Sequence, residues 1–410
     1  MSVRHEQSAT RSIASEQRPL LRSLTEAFLR RSLSGLECGQ LVVETPAGDR
    51  LVFDGARPGP QARLTIHRWR CLWRLATGSD IGFAEAYMAG DWSSPNVTGL
   101  LKFACDNEAS MEPHQSLRPP RPWLKIRHAL NRNTRRGSRR NIAAHYDLGN
   151  DFYEQWLDAG MSYSAGVYSS AGQTLEEAQG RKLDRVLDLL AMSGGERILE
   201  IGCGWGSLAE RILERSDCSL TGLTLSAEQL AFAQRRLRNR GLLDSCDLRL
   251  QDYRDVRGTF DRIVSIEMLE AVGEAYWPTY FETLRHRLRP SGTAVLQVIT
   301  IDDARFEDYR RRPDFIQKYI FPGGMLPTTR IIQRESARAG LQVVTKELFG
   351  ESYARTLDEW RCRFQEAWPQ IKRQGFDERF KKTWEYYLSY CQAGFETGTL
   401  NVGLYKLTRA

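Results

Sequence analysis

Hydrophobic residues alternate between strand-like and helix-like spacing from about residue 180 to the carboxyl end of the chain. The apolar runs with the length of buried strands are ERILEIG, CSLTGLTL, DLRLQD, FDRIVSIEM and TAVLQVIT. The segments between them with helical spacing are GSLAERILER, SAEQLAFAQRRLRNR and YWPTYFETLRHRL. This alternation predicts an α/β fold with a doubly wound, Rossmann-like sheet, to which LQVVTKELF and TLNVGLYKLT add two closing strands.

The amino-terminal part of the chain predicts a smaller mixed α/β domain. Residues 1–35 form a polar arm followed by a helical segment, and residues 36–108 contain LVVET and RLVFDG around the turn PAGD, then ARLTIH and the helical segments GFAEAYMAGDW and VTGLLKFACDN. A linker rich in Pro and Arg occupies 109–140, and the main domain is expected over 141–410. Its aromatic insertion, 302–330, is too long for a simple loop, and we expect it to act as a lid.

Composition narrows the class of protein. The 410 residues predict two or three domains, and 41% hydrophobic with 27% charged residues is ordinary for a globular chain. No apolar run reaches the roughly 18 residues of a membrane-spanning helix, and the first residues lack the apolar core of a secretory signal. The eight cysteines form no CxxC pair, so we expect reduced thiols, a cytoplasmic protein and no metal site.

The positive charge is concentrated in one segment. The net charge is +7, yet residues 118–140 alone contain nine Lys or Arg and no acidic residue. Such a run indicates a contact with an anionic surface, such as phospholipid headgroups or nucleic acid. A solvated linker has the same composition, and charge alone leaves both interpretations open.

The sharpest local motif is Glu200-Ile201-Gly202-Cys203-Gly204-Trp205-Gly206, which follows a predicted strand and opens a predicted helix. Glycines there let the backbone approach a ligand at the carboxyl edge of a doubly wound sheet. The spacing is GxGxG rather than the GxGxxG of dinucleotide-binding proteins. A dinucleotide site and a purely structural tight turn both remain alternatives on this motif alone.

Polar residues also follow the next two predicted strands. Thr224 and Gln229 lie where ribose hydroxyls would need partners, while Ser226 between them also fits an ordinary helix N-cap. Asp252 and Tyr253 follow the third strand, where an acidic residue can accept a hydrogen bond from an adenine amino group. Taken singly, each residue could have an ordinary structural role, such as a helix N-cap or a solvated loop residue. The order of these residues along the chain is what indicates a nucleoside site.

These motifs resemble those of class I S-adenosylmethionine-dependent methyltransferases. More specifically, the chain resembles the cyclopropane-fatty-acyl-phospholipid synthase family over about residues 140–408, through the motifs ILEIGCGWG, GLTLSAEQ, LQDYRD, FDRIVSIEMLEAVG, AAHYDLGNDFYEQWLD, MSYS, KYIFPGGMLP and YARTLDEW. The segment GFAEAYMAGDW resembles the additional domain of the two-domain bacterial members, so residues 36–108 are expected to associate with lipid.

The resemblance implies a set of cofactor contacts. Tyr163 and Ser164 are expected near the methionine end of S-adenosylmethionine, and Ile266 near its sulfonium. The remaining implied cofactor residues are Glu200, Gly202, Gly204, Thr224, Gln229, Asp252 and Tyr253.

Methylation of an alkene leaves a carbocation on the acyl chain, and a base must then remove a proton in a pocket that excludes water. Aromatic faces can stabilise such a cation, for which Tyr163, Tyr319 and Phe321 are candidates, although core packing explains them equally well. Family resemblance further implies that a bound bicarbonate is the base. The residues that would hold it are His145, the backbone at Ala165, Glu270, Gln297 and Tyr353.

Two of these positions depart from the family pattern. Ala165 replaces the usual cysteine, a change expected to be mild because the contact is through the backbone. Gln297 replaces a histidine that many members have, and an amide can donate hydrogen bonds but cannot titrate. These departures, together with Ala271 where histidine is usual, place the product and the bicarbonate in question.

The resemblance therefore implies a peripheral membrane enzyme that transfers a methylene from S-adenosylmethionine to an unsaturated acyl chain of a phospholipid, forming a cyclopropane. The alternatives are methylation without ring closure to a methyl- or methylene-branched chain, a small-molecule N-methyltransferase, and a degenerate fold that only binds lipid. An anionic membrane rather than nucleic acid is the expected partner, and a homodimer is an open alternative.

Overall fold

The computed structural model describes residues 35–108 and 148–410, together with positions 27, 29–31, 33, 134 and 137. Most of the predicted arm, nearly all of the basic linker and the predicted anion ligand His145 lie outside the described residues. The described residues fall into two compact units, one in each of the two long ranges.

The amino-terminal unit is a four-stranded sheet with two helices. Its strands are β1 (Cys38–Glu44), β2 (Arg50–Asp54), β3 (Arg57–Ile66) and β4 (Trp92–Ser93), in the order β2-β1-β3-β4. Its helices are α1 (Arg70–Met88), which is kinked at Ser79, and α2 (Val97–Asp106). The predicted hairpin is present, since β1 and β2 pair antiparallel with Glu44 opposite Arg50.

The predicted carboxyl end of one helix in this unit is wrong. GFAEAYMAGDW was expected to be helical throughout, but α1 ends at Met88 and Trp92 belongs to β4. Gly90 has a φ of 69°, a left-handed conformation that ends helices and suits glycine. The turn brings the Trp92 ring onto Phe83, with ring centroids 4.3 Å apart, so Trp92 becomes part of the core.

The carboxyl-terminal unit contains a seven-stranded sheet. Its strands are β5 (Arg197–Ile201), β6 (Ser219–Thr224), β7 (Cys246–Leu250), β8 (Phe260–Ile266), β9 (Leu288–Ile301), β10 (Leu341–Leu348) and β11 (Leu400–Arg409). They follow the order β10-β11-β9-β8-β5-β6-β7. The five from β5 to β9 run parallel, while β11 is antiparallel to both of its neighbours.

The helices of this unit are α3 (Asn150–Tyr153), α4 (Leu175–Leu190), α5 (Ser207–Arg215), α6 (Ala227–Asn239), α7 (Leu269–Val272), α8 (Trp277–Arg287), α9 (Asp303–Arg311), α10 (Phe315–Tyr319), α11 (Thr329–Arg338), α12 (Gly350–Arg373) and α13 (Glu378–Glu396). The insertion that was predicted as a lid contains α9 and α10. No helix of the described residues is long and apolar enough to cross a membrane.

Apolar clusters on both faces of the seven-stranded sheet hold it together. One contains Leu199 and Ile263 with Phe281 of α8, and the other contains Ile198 and Val264 with Ile212 of α5. Successive residues of β5 and β8 thus face opposite clusters, as burial on both faces of a parallel strand requires. The predicted fold class, a doubly wound α/β sheet with a smaller mixed amino-terminal domain, is confirmed.

Candidate functional site

The glycine loop lies at the carboxyl end of β5, where the chain turns into α5. Gly202 has a φ of 85° and Gly204 a φ of 52°, both in the left-handed region. A Cβ built on Gly202 would lie 2.5 Å from Cγ of Met268, whereas one on Gly204 would meet no atom within 4 Å. The backbone at Gly204 is therefore free to lie against a ligand.

A pocket opens next to this loop, at the carboxyl ends of β5, β6 and β8. All but one of the predicted cofactor residues line it, namely Tyr163, Ser164, Glu200, Gly202, Gly204, Thr224, Gln229, Tyr253 and Ile266. The exception is Asp252, whose carboxylate accepts hydrogen bonds from Nε and Nη2 of Arg254 at 2.8 and 2.6 Å. Gln251, which sequence reasoning passed over, lines the pocket beside Tyr253.

Glu200 supplies a buried acidic group to the pocket. Burial raises the pKa of its carboxyl to about 8, against the lowering effect of the nearby Lys182. Oε2 of Glu200 has no hydrogen-bond partner among the described residues. A positively charged amine, such as that of S-adenosylmethionine, would both partner this oxygen and compensate its charge, so the residues present fit that cofactor.

The residues after β6 are held by one another. The hydroxyl of Thr224 donates to Oε1 of Gln229 at 2.9 Å, and Oγ of Ser226 accepts from the backbone N of Gln229 at 3.2 Å. Ser226 is therefore a helix N-cap for α6, as its simpler interpretation predicted. The buried hydroxyl of Tyr253 has no partner in the described part of the chain, which leaves one donor and acceptor for a ligand.

Lys182 is a pocket residue that sequence reasoning missed. It lies on α4, is almost fully buried, and its Nζ donates to Oγ of Ser164 at 3.0 Å. Burial lowers the pKa of Lys182, while the charges of Glu267, Asp158 and Glu200 raise it. The available signal was a lysine on the apolar face of a helix, since Leu175, Ala178 and Val186 of α4 are also buried.

Glu267 is the second residue that was missed, and it carries the densest set of contacts in the site. Its Oε1 accepts hydrogen bonds from the backbone N of Ala165 at 2.9 Å and from Nε2 of Gln297 at 2.8 Å. Its Oε2 accepts from the hydroxyl of Tyr353 at 2.8 Å. The signal was present in SIEMLE, where a first acidic residue directly follows β8, three positions before the predicted Glu270.

The structure thus brings three of the predicted anion-binding residues together, but the anion that they contact is the side chain of Glu267. Ala165, Gln297 and Tyr353 all contact Glu267. Glu270 lies beside them, accepts a hydrogen bond from the backbone N of Ile299, and has its pKa raised to about 8, first by burial and then by the charge of Glu267. Among the described residues, the three donors expected for a bicarbonate already donate to Glu267, and two carboxyl groups surround the position, so these residues do not fit a further anion.

Aromatic rings pack around Tyr163, which lines the pocket. The hydroxyls of Tyr163 and Tyr387 are 2.8 Å apart, and the Tyr163 ring lies 5.3 Å from that of Trp360. Phe321 packs edge-on against Tyr387, with ring centroids 6.2 Å apart. Tyr319 packs instead against Phe315 of its own helix, and only Tyr163 of the three predicted aromatic residues lines the pocket.

Cys203 lies within the glycine loop, but burial raises the pKa of its thiol well above the usual value, which suits a packing residue rather than a nucleophile. All eight cysteines lie in the described ranges and none is in a disulfide. Within the part of the chain that the structure describes, no group of His, Cys, Asp and Glu has the arrangement of a metal site.

Comparison with known proteins identifies close relatives. The sequence model of the family described as mycolic acid cyclopropane synthetase matches residues 133–404. Tuberculostearic acid methyltransferase of Mycobacterium tuberculosis is 40% identical over 376 residues, which cover 88% of this chain and 87% of that protein. Cyclopropane-fatty-acyl-phospholipid synthase of Escherichia coli is 37% identical over 328 residues, which cover 78% of this chain and 81% of the relative.

A solved structure of a mycolic acid cyclopropane synthase is also similar to this chain. The crystal structure of the mycolic acid cyclopropane synthase CmaA1 complexed with SAH and CTAB matches with a TM-score of 0.62 and 30% identity, and covers 66% of this chain and 98% of its own. Coclaurine N-methyltransferase also matches, with a TM-score of 0.60 and 18% identity over 80% of this chain and 99% of its own, a likeness that shows the shared fold alone.

Proposed function

The chain belongs to the mycolic acid cyclopropane synthetase family and is an S-adenosylmethionine-dependent methyltransferase, and on this premise we propose that it methylates the double bond of an unsaturated fatty acyl chain. The observation that carries the proposal is the cluster of Glu267 and Glu270 beside the glycine loop. Buried carboxyl groups at that point match a reaction whose last step is the removal of a proton from carbon.

In this mechanism the residues around the loop hold the cofactor. Gly202 and Gly204 leave room for it, Glu200 compensates its amine, and Thr224 with Gln229 present polar atoms to its ribose. S-adenosylmethionine, when bound, supplies an electrophilic methyl group, so the protein need not activate the alkene strongly. Tyr163 and its aromatic neighbours exclude water and present their faces to the positive charge that develops on the acyl chain.

The product we favour is a methyl- or methylene-branched chain rather than a cyclopropane. The relative that is 40% identical is named a methyltransferase of tuberculostearic acid, whereas the cyclopropane synthase is 37% identical and aligns over a shorter stretch. Both outcomes share the carbocation and differ in which proton is lost. Ring closure removes a proton from the new methyl group while the cation is on the neighbouring chain carbon. A methyl-branched alkene forms when a chain carbon beside the cation loses the proton. A methylene-branched chain forms when a hydride first shifts to the cation and the new methyl group then loses the proton.

Phospholipid in an anionic membrane is the substrate form we propose. The sequence places nine Lys or Arg within 118–140, a segment that lies almost entirely outside the described residues. Each basic residue near an anionic surface contributes about 1 kcal/mol. Replacing Arg135, Arg136, Arg139 and Arg140 with Ser should weaken sedimentation with anionic vesicles at low salt. Equal sedimentation of variant and wild type would remove the docking role and leave the methyltransferase proposal intact.

The test of the proposed function is incubation of the purified chain with S-adenosylmethionine and vesicles of a monounsaturated phospholipid, followed by mass spectrometry and proton NMR of the acyl chains. A gain of CH2 with the alkene signal retained, at a new position, supports branching. The same gain with loss of the alkene signal and appearance of cyclopropyl protons shows ring closure and overturns the branched product. No gain of CH2 overturns lipid methylation altogether.

A further inference from the structure

We propose that the carboxylate of Glu267 is itself the base that removes the proton, in place of the bicarbonate that the family resemblance implies. The inference rests on the proposed function, because it assigns a residue to the last step of that reaction. It goes further by naming a side chain of this protein as the group that the substrate proton reaches.

The first argument is the identity of the donors around Glu267. Besides His145 and Glu270, a bound anion was expected to use the backbone N of Ala165, the side chain of Gln297 and the hydroxyl of Tyr353. All three donate to the two carboxylate oxygens of Glu267, at distances between 2.8 and 2.9 Å. A carboxylate has the same charge and the same pair of oxygens as bicarbonate, so Glu267 satisfies these donors without a bound ion.

The second argument is position. Glu267 is the first residue after β8 and lines the same pocket as the glycine loop and Ile266. Its φ of 51° is a left-handed conformation that is uncommon for a residue with a side chain. Such strained backbone persists where surrounding contacts over-determine it, and functional sites are where it concentrates. The conformation directs the carboxylate into the pocket, towards its three donors.

The third argument concerns the charge of the pair. Burial raises the pKa of Glu267, and hydrogen bonds from Ala165, Tyr353 and Gln297 together with the charge of Lys182 oppose that increase. Glu270 receives a backbone hydrogen bond from Ile299 and feels the charge of Glu267. In such a pair one carboxyl holds a proton while the other stays ionised. The three donors select Glu267 as the ionised partner.

The step balances without any further reactant. Methyl transfer would break the S–CH3 bond of S-adenosylmethionine and form a carbon–carbon bond, leaving S-adenosylhomocysteine and a cation on the acyl chain. A C–H bond then breaks, either of a carbon beside the cation or of the new methyl group, and its proton forms an O–H bond with Glu267. The electron pair of that C–H bond closes either a new double bond or a ring, and the proton passes to solvent when the pocket opens to exchange products.

The experiment begins with the wild type in buffers purged of carbon dioxide and then supplemented with bicarbonate. We expect turnover on the monounsaturated phospholipid to be the same in both. Glu267→Gln should lower kcat by about 100-fold or more, the range of general-base catalysis, with S-adenosylmethionine affinity retained. The matched control is Glu335→Gln, which also changes a buried glutamate, one held by Arg334 and Arg338 on α11.

A second variant separates a base from a residue that merely maintains the fold. Glu267→Ala empties the position, so added bicarbonate should restore part of its turnover and should do nothing for the wild type. Without bicarbonate, water entering the space should trap the cation and give an acyl chain heavier than the substrate by CH4O. Mass spectrometry of the acyl chains detects this product.

The outcomes also separate the inference from the proposed function. A wild type that methylates lipid only with added bicarbonate, or a Glu267→Gln variant with near-normal kcat, overturns the role of Glu267 and leaves lipid methylation standing. A wild type that methylates no lipid overturns both. A Glu267→Ala variant that binds S-adenosylmethionine but is neither rescued nor diverted to the alcohol also contradicts the inference.

Discussion

The hydroxyl of Tyr353 donates a hydrogen bond of 2.8 Å to Oε2 of Glu267, across 86 positions of the sequence. Burial, followed by the charge of Glu267, raises the pKa of Tyr353 well above its usual value, so the hydroxyl keeps its proton and remains a donor. The Tyr353 ring packs against Phe395 of α13, with centroids 4.6 Å apart. The long helices α12 and α13 therefore fix the direction of a carboxylate that follows β8.

Tyr353→Phe should reduce turnover, because it removes one of the three donors to Glu267 while keeping the ring that packs against Phe395. A charge-assisted hydrogen bond contributes about 1.5–3 kcal/mol, so a loss of about 10-fold or more in kcat is expected. Steady-state kinetics of the single and double variants provide the check. In a Glu267→Gln background the same change should cost much less, and fully additive losses would show that the two residues act independently.

Gly204→Val should abolish binding of S-adenosylmethionine. The space above Gly204 is open towards the pocket, so a branched side chain would occupy it, and valine also tolerates a φ of 52° poorly. Isothermal titration calorimetry measures the effect. Gly241→Val is the matched control, since Gly241 has a φ of 70°, no atom within 4 Å of its Cβ and no place in the pocket wall. If both variants bind equally well, the loop is not the cofactor cradle.

Lys182→Met should destabilise the carboxyl-terminal unit. The charges of Glu267, Asp158 and Glu200 raise the pKa of Lys182, and the variant removes the cation that these three carboxyl groups face. Removing one partner from a buried charge cluster costs about 3 kcal/mol or more, which chemical denaturation can measure as a lower free energy of unfolding. Lys372→Met, which breaks the exposed pair with Glu378, should change stability little, because solvent and salt screen such a pair. Similar effects for the two would contradict a buried cluster.

Stability should fall as the pH rises through the interval between about 4.5 and about 8. Burial raises the pKa of Glu200 and of Glu270 from 4.5 to about 8, so in this interval the folded chain binds more protons than the unfolded chain. Because folding takes up protons in this interval, a rise in pH lowers the free energy of unfolding. Glu270→Gln removes one of these groups and should flatten the dependence of the melting temperature on pH.

The opposite sign is expected at Glu347, where the hydrogen bond from Arg185 lowers the carboxyl pKa below 4.5. This group stabilises the fold above that value, and the contribution is lost as the pH falls. Glu347→Gln should therefore lower the melting temperature at neutral pH. Melting curves between about pH 3 and about pH 9 distinguish the variants, because Glu347→Gln should change the pH dependence below about pH 4.5 and Glu270→Gln the dependence above it. A parallel shift of both variants across the whole range would contradict these assignments.

The succession of strands and helices along the main domain and the position of the glycine loop follow from local sequence. Apolar runs of strand length alternate with amphipathic segments, and this periodicity records which face of each element is buried. Gly202, Gly204 and Thr224 could be placed at the sheet edge because parallel strands of one sheet share their carboxyl ends. The N-cap at Ser226 could also be predicted, since it depends only on residues within one turn.

Longer-range pairing was decided by tertiary structure. Glu270 was expected to face the reacting centre, but the contacts gather on Glu267. The donors to Glu267 come from positions 102, 30 and 86 residues away along the chain.

The sequence by itself determined the fold class and the cofactor loop, because both are recorded in short patterns of burial, turn chemistry and spacing. Ala165, Gln297 and Tyr353 at the reacting centre were implied only by the family resemblance of its motifs. Only the tertiary structure decided which carboxylate those residues hold. A side chain's direction depends on its own backbone angles, here the left-handed φ of Glu267, and on the elements that bring its partners to it, the helix α12 for Tyr353 and the strand β9 for Gln297. These conditions are satisfied only once β8, β9 and α12 have packed together.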